Sequence, residues 1–227
     1  MGLQIIVKNE DFLAISVGKL EFGTSISSGL VGLFCLSDVF GNPTKNFAGG
    51  TDATIVGSPT IAANGITSDQ NNYIDFNIVS AGNRTIAGVL NNTGVSATDH
   101  FSSFAPAPVY GEYFRLNGSN INFESSKASS PHPTVASAVR DELAAAIVEE
   151  GVGNTLYLPR TGAASTRLSA VSQNLTTKYR TSINVSGTLA SRAMLFAYWN
   201  RVLTTGELDT FYQEMKVQLS AFGVASI

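Results

Sequence analysis

Alternating apolar and polar positions predict strands over much of this chain. In residues 73–78 the apolar side chains share one strand face and the polar side chains share the other. Residues 114–123 alternate in the same way on both sides of an Asn-Gly-Ser-Asn turn, which predicts a hairpin. Residues 84–90 and 178–186 predict further strands. The inward-facing residues of the first strand and of the hairpin are Ile74, Phe76, Ile78, Phe114, Leu116, Ile121 and Phe123.

Two segments, 30–36 and 193–199, are apolar on both strand faces. Such runs predict strands that are covered on both sides. In an isolated sandwich each strand has one polar face that contacts water. Another element is therefore expected to cover the outer faces of these two strands. The alternatives are a terminal helix, an N-terminal arm or a neighbouring subunit.

The end of the chain predicts one amphipathic helix over residues 205–222. Thr204 and Glu207 have the spacing of a capping box, in which each side chain accepts a hydrogen bond from a free backbone amide. Gly223 follows at the position expected of a C-terminal stop. Six apolar residues at helical spacing form one face: Leu208, Phe211, Tyr212, Met215, Leu219 and Phe222.

Residues 196–212, which read FAYWNRVLTTGELDTFY, resemble the end of laminin-G-like jelly-roll domains of the concanavalin A-like lectin/glucanase superfamily. In those domains an apolar strand precedes the pattern N-R-x-L-(S/T)-x-x-E and a short helix. The positions that match are Asn200, Arg201, Leu203, Thr204 and Glu207. The resemblance implies an all-β fold, an antiparallel two-sheet jelly-roll sandwich of the concanavalin A type with one C-terminal amphipathic helix.

Residues 135–150 allow two interpretations. Their composition has high helix propensity and would suit a four-turn helix. The jelly-roll resemblance implies a strand there, a turn and a partner strand. We predict a strand for residues 142–149, because tertiary context overrides propensity.

The resemblance extends back to about Leu30, which divides the chain into two parts. Residues 30–227 are predicted to form the sandwich, with its terminal helix at 205–222. Residues 1–29 are predicted to form an N-terminal arm or an added edge strand. The segment IIVKNEDF within them is similar to the N-terminal segments of some bacterial and phage proteins that carry this jelly roll.

Composition excludes several classes of partner. The net charge of −3 and the pI of about 5.4 argue against a nucleic-acid footprint, which would be a basic patch. No apolar run is long enough to span a bilayer, and no signal peptide is visible at the start. The single cysteine, Cys35, lies in an apolar strand and is predicted to be a core residue.

The superfamily includes glucanases, so we looked for a catalytic carboxylate pair at alternate strand positions. Glu207 and Asp209 come nearest, but they lie at a helix start, where the capping role is favoured. The pairs at 141–142 and 149–150 are adjacent and are predicted to be surface charges beside turns. His100 and His132 are predicted to be loop residues, since neither lies in a nucleophile-elbow sequence. We therefore predict that the chain is not an enzyme.

No cofactor is predicted. Two histidines and one cysteine make a structural zinc site improbable. Calcium is the one cofactor to consider, because Asp69, Asn71 and Asp75 have a superficially suitable spacing. Position six of that loop would be Ile74 instead of the glycine that a calcium loop needs.

Glycan binding normally uses exposed aromatic rings with polar partners nearby. Tyr110 and Tyr113, with Glu112 between them, are the candidates that best fit this pattern. The alternative for these residues is packing at the end of a strand.

We predict a non-enzymatic structural or attachment module that acts by surface contact. By resemblance it would be a bacteriophage virion protein of the tail, fibre, baseplate or head decoration, made in the host cytoplasm. Its partners would be other virion or surface proteins, further copies of itself and a host glycan. The alternative is a bacterial carbohydrate-binding module or adhesin, and a glycoside hydrolase is disfavoured.

Overall fold

The computed structural model describes residues 22–91, 98–103, 111–125, 132–137, 141–168, 177–182, 191–225 and 227. Within these ranges the chain forms fifteen strands, one turn of 3-10 helix at Asp38–Phe40 and one α-helix, α1 (Thr205–Ala221). The strands are β1 (Leu30–Cys35), β2 (Thr54–Val56), β3 (Thr60–Ala62), β4 (Gly65–Ser68), β5 (Tyr73–Val79), β6 (Arg84–Asn91), β7 (Thr98–His100), β8 (Glu112–Asn117), β9 (Asn120–Ser125), β10 (Thr134–Ala136), β11 (Asp141–Glu149), β12 (Gly153–Leu158), β13 (Ala163–Leu168), β14 (Lys178–Arg180) and β15 (Ser191–Trp199).

The first layer is an eight-stranded antiparallel sheet built around β15. Its order is β13-β12-β11-β6-β15-β4-β3. Along its second edge, β15 pairs first with β4 through residues 191–193 and then with β1 through residues 195–199. The apolar run at the end of the chain is therefore a central strand, as its composition predicts.

The second layer consists of a three-stranded sheet, β14-β5-β2, and a four-stranded sheet, β10-β9-β8-β7. An antiparallel bridge between Ser102 and Arg180 connects them, since each backbone amide donates to the other residue's carbonyl at 2.8 and 2.9 Å. The two small sheets therefore face the large one as a single layer. This confirms the predicted antiparallel β-sandwich.

An aromatic core fills the space between the layers. Phe76 of β5 stacks on Phe196 of β15 with ring centroids 4.0 Å apart, and Phe34 of β1 contacts Phe76 at 5.0 Å. The inward residues of the hairpin, including Phe114 and Phe123, are also fully buried here. The alternation that the sequence displays thus defines which side chains meet between the sheets.

A second core lies on the other face of the large sheet, beneath α1. Leu33, Cys35 and Trp199 belong to it, and the ring of Trp199 meets Phe211 edge to face at 4.9 Å. Cys35 is fully buried, which confirms that it is a core residue, and this burial raises the pKa of its thiol to about 12. The outer faces of β1 and β15, the strands that are apolar on both sides, are therefore covered by the terminal helix of the same chain.

The predicted ends of the helix are confirmed to within one residue. The Glu207 amide donates to Thr204 Oγ1 at 3.2 Å, and the Thr204 amide donates to Glu207 Oε2 at 2.8 Å. At the other end Gly223 has φ +67°, and the Val224 amide donates to the Leu219 carbonyl at 2.9 Å. These bonds satisfy backbone groups that a helix otherwise leaves free.

Residues 22–28 run along α1 and belong to the second core. Phe22 is buried there, and Gln218 bonds Gly23 twice, accepting from its amide at 3.1 Å and donating to its carbonyl at 2.7 Å. Trp199 Nε1 donates to the Ile26 carbonyl at 2.8 Å. Within the predicted 1–29 segment, the described residues 22–28 therefore form no strand and pack on α1. Residues 1–21, which hold the predicted strand, lie outside the described residues.

The strand prediction for residues 142–149 is confirmed, since β11 pairs with β6 on one side and β12 on the other. Burial on both faces overrides the helix propensity of the alanines. The prediction for 178–186 is confirmed for β14, whereas residues 183–190 are not described. No described helix is both long and apolar enough to cross a membrane.

Candidate functional site

The outer surface of the four-stranded sheet is polar, and strand register assembles it. Asp99, Arg115, Asn122 and Thr134 pair in turn across β7, β8, β9 and β10, so their side chains share one sheet face. Tyr113 and Glu124 form the next pair along the same face. We call these six residues the polar face. Their sequence neighbours Phe114, Leu116, Ile121 and Phe123 point inward to the core.

Arg115 is the centre of the polar face. Its Nε and Nη2 donate to the two oxygens of Asp99 at 2.7 and 3.2 Å, and its Nη1 lies 3.2 Å from Glu124 Oε1. This fork fixes the planar guanidinium between strands β7 and β9. The Arg115 side chain remains 31% exposed, whereas that of Asp99 is 6% exposed. The guanidinium is held in place, yet water and solutes can reach it.

Tyr113 lies under this ion pair. Its hydroxyl donates to Glu124, and the Arg115 guanidinium carbon stands 5.1 Å from the ring centroid. Burial and the bond to Glu124 raise the pKa of the Tyr113 phenol, so it stays protonated and remains a donor. His132 Nε2 lies 3.8 Å from Glu124 Oε2, at the edge of the polar face.

Burial and charge act in opposite directions on Asp99. Burial raises its pKa, and this outweighs the opposing effect of Arg115. The pKa of Arg115 is raised in turn, chiefly by its hydrogen bond to Asp99, so the guanidinium stays charged.

The polar face combines groups that can bind a sugar, namely carboxylate and amide oxygens, a guanidinium and an aromatic ring. Its two carboxylates are arranged differently from those of a glycosidase. There the carboxyl groups flank the scissile bond, whereas here the Arg115 guanidinium bonds both.

The structure separates the three residues that the sequence singled out. Tyr110 lies outside the described residues. Tyr113 belongs to the polar face, but it is a strand residue that is only 8% exposed, not the exposed loop residue that was expected. Glu112 points the other way and is 2% exposed. A direct glycan-binding role for Tyr110, Glu112 and Tyr113 remains a prediction.

Glu112 is part of a polar network within the inter-sheet core. Arg84 Nε donates to Glu112 Oε2 at 3.1 Å, and the same oxygen accepts from the Tyr179 hydroxyl. Burial would lower the pKa of Arg84, but the Glu112 carboxylate outweighs it and raises the pKa. The network links strands of all three sheets within the inter-sheet core.

The other candidates for chemistry have structural roles. Asp69 accepts hydrogen bonds from the Asn71 and Asn72 amides at 2.8 and 2.9 Å, so the proposed calcium loop is a turn closed by its own amides. The prediction that His100 is a loop residue is wrong: it ends β7, fully buried, and burial lowers its pKa to about 3. Within the described ranges, no three acidic, histidine or cysteine side chains cluster closely enough to hold a metal ion.

The prediction that Glu142 is a surface charge is also wrong. It is 1% exposed, accepts from Ser137 Oγ at 2.7 Å and pairs with Arg160 Nη2 at 2.9 Å. Asp209 at the helix start accepts from the Tyr157 hydroxyl at 2.7 Å, which joins the helix to the sheet.

Sequence reasoning missed Asp99, Arg115 and Glu124. A signal for two of them was present, because the alternation that places Phe114 and Phe123 inward places Arg115 and Glu124 outward together. Asp99 has no such local signal, since only the pairing of β7 with β8 brings it to Arg115.

No family model matches this chain, and neither does any curated protein. Solved structures do share its fold. Trypanosoma rangeli sialidase aligns at a TM-score of 0.61 and 12% identity, over 84% of this chain and 33% of the sialidase. The receptor-binding domain of botulinum neurotoxin D aligns at 0.62 and 11% identity, over 83% of this chain and 53% of that domain.

The binding domain of botulinum neurotoxin DC, solved in complex with SialylT, aligns at 0.62 and 7% identity over 84% of this chain and 52% of that one. At these identities the similarity shows the fold alone. The chain spans about a third of the sialidase and about half of each toxin domain. It is an antiparallel β-sandwich of the kind found in these sialidase and receptor-binding structures.

Proposed function

We propose that this chain is a non-enzymatic attachment module that binds glycans through the polar face. The observation that carries the proposal is the fixed, solvent-accessible guanidinium of Arg115 between two carboxylates, beside the amide of Asn122. Side chains held in place before binding lose little entropy when a ligand arrives. The fold similarity to a binding domain solved in complex with SialylT supports the same function.

The setting that we propose is a bacteriophage virion, with the chain as a tail, fibre, baseplate or head-decoration protein. There it would contact other virion proteins or further copies of itself through residues 1–29. Support for this setting comes from the resemblance of the N-terminal and C-terminal segments. The apolar faces of β1 and β15 do not add support, because α1 and residues 22–28 cover them.

A bacterial carbohydrate-binding module or adhesin is the second candidate, and the same polar face would serve it. The neighbouring genes distinguish the two settings. Tail or capsid genes on both sides are expected for the virion protein, whereas secretion or polysaccharide-utilisation genes would contradict that setting and favour the bacterial module.

A glycan array, followed by titration calorimetry on the best ligand, tests the binding function. Asn122→Ala should weaken binding at least about tenfold, since it removes an amide from the centre of the polar face. The matched control is Gln213→Ala, an amide removed from the exposed side of α1. Binding that is unaffected by Asn122→Ala, or the absence of binding to every glycan, would contradict the proposal.

Incubation with β-glucans and bacterial polysaccharides tests the non-enzymatic part. No reducing ends should be released. Release that disappears in Asp99→Asn or Glu124→Gln would show that the polar face is catalytic.

A further inference from the structure

The ligand class follows from the hydrogen-bonding groups of the polar face, provided that this surface binds glycans as proposed. We infer that it selects neutral, hydroxyl-rich sugars and discriminates against sialylated ones. The fold similarity to a domain solved with SialylT would by itself suggest the opposite.

Most donors of Arg115 and Tyr113 are already directed to the carboxylates of the polar face. Arg115 directs Nε and Nη2 to Asp99 and Nη1 to Glu124, and the Tyr113 hydroxyl donates to Glu124. A guanidinium has five N–H groups, so the fork leaves two of them for a ligand. A sialic acid carboxylate only accepts hydrogen bonds, and it would have to compete with two carboxylates that already surround this cation.

The acceptors of the polar face retain hydrogen-bonding capacity, although the side chains of Asp99 and Glu124 are only 6% and 13% exposed. Each carboxylate oxygen of Asp99 and Glu124 can accept more than one hydrogen bond. The Oδ1 atom of Asn122 is shielded from water and has no hydrogen-bond partner in the protein. Asn122 is the register partner of Arg115 on one side and of Thr134 on the other. Once the Asn122 side chain turns toward the surface, a hydroxyl group that donates to this oxygen would satisfy it, whereas a ligand carboxylate cannot.

The negative charge of the polar face also disfavours a sialylated ligand. Two carboxylates surround one guanidinium, so a second negative group approaching Arg115 meets repulsion at short range. The other two cationic side chains on the described strands of this layer lie on β14 of the three-stranded sheet and are not part of the polar face. Lys178 Nζ donates to Asn77 Oδ1 at 2.7 Å, and Arg180 lies 4.4 Å over the Tyr73 ring.

The test uses an array of glycans printed in pairs that share a core and differ only in a terminal sialic acid. Each bound pair is then measured by calorimetry at low and physiological salt. The wild-type protein should bind the neutral member at least about tenfold more tightly. Added salt should reduce this ratio, because it screens repulsion between exposed charges.

Glu124→Gln should also reduce the ratio, since it removes one negative charge and keeps an oxygen that accepts from Tyr113. The matched control, Glu149→Gln, changes an exposed residue at the end of β11 and should leave the ratio unchanged. Equal or tighter binding of the sialylated members, lost in Asn122→Ala, would overturn this inference while supporting glycan binding by the polar face. Binding to neither member of any pair would overturn the proposed function itself.

Discussion

The outer faces of the two layers of this sandwich differ: one is apolar and covered by a helix, and the other is polar. The central strands of the large sheet are apolar on both faces, and α1 with residues 22–28 covers their outer face at Trp199, Leu33 and Cys35. The four-stranded sheet is apolar only inward, and outward it carries the polar face around Arg115. The apolar run at the end of the chain is thus covered by other parts of the same molecule. A binding surface is therefore to be sought on the other layer.

Weakening the packing of α1 on the large sheet should have the largest effect on stability. Phe211→Ala takes away the ring that meets Trp199 and should lower the free energy of unfolding by about 3–5 kcal/mol. Chemical denaturation measures the change. The exposed control Val217→Ala should cost far less. Equally small losses from both would mean that the helix does not pack on the sheet as described.

The same substitution, glutamate to glutamine, can be made on each side of the four-stranded sheet to compare the two sides. Glu112→Gln leaves Arg84 charged within the core and should cost about 3–5 kcal/mol. Glu124→Gln acts on the outer side of the same hairpin, where its partner Arg115 is 31% exposed, and should cost at most about 1 kcal/mol. Denaturant titration of the two variants measures the contrast. Similar losses would contradict the assignment of one glutamate to the core and the other to the surface.

The cap of α1 should contribute less than the helix's buried face. Thr204→Ala removes the acceptor of the Glu207 amide and should cost about 1 kcal/mol. The variant Thr204→Ser retains a hydroxyl and should recover most of this loss. A cost as large as that of Phe211→Ala would mean that the cap, not the packing, holds the helix in place.

The smallest expected effect depends on pH. Hydrogen bonds from Arg201, followed by those from Thr204, lower the pKa of Glu207 to about 2 from an ordinary value near 4.5. Because the folded-state pKa is the lower one, this stabilisation is complete above pH 4.5 and is lost as the pH falls toward 2. The urea midpoints of the wild type and Glu207→Gln should differ at pH 6 and converge near pH 2. A difference that grows on acidification would have the wrong sign.

Sequence periodicity predicted the elements because each depends on neighbouring residues. The capping box at Thr204, the inward residues of the hairpin and the central strand ending at Trp199 all follow from local spacing. The strand β11 was predicted from the jelly-roll resemblance, against the helix propensity of its alanines, and its burial on both faces explains why propensity did not decide.

Buried charges were not predictable, because their partners lie far away in the chain. Glu112 and Glu142 resemble surface residues until Arg84 and Arg160 are placed beside them by sheet pairing. Asp99 likewise joins Arg115 only when β7 pairs with β8. A carboxylate shows no local sign of the distant cation that permits its burial.

Chemical-shift mapping by NMR tests the central claim most directly. Backbone and side-chain signals are followed while the neutral glycan that binds most tightly on the array is added. The account predicts shifts concentrated at Asp99, Arg115, Asn122 and Glu124, including the Asn122 side-chain amide, with those of α1 unchanged. Saturable shifts confined to α1 and residues 22–28, with the polar face unaffected, would contradict it.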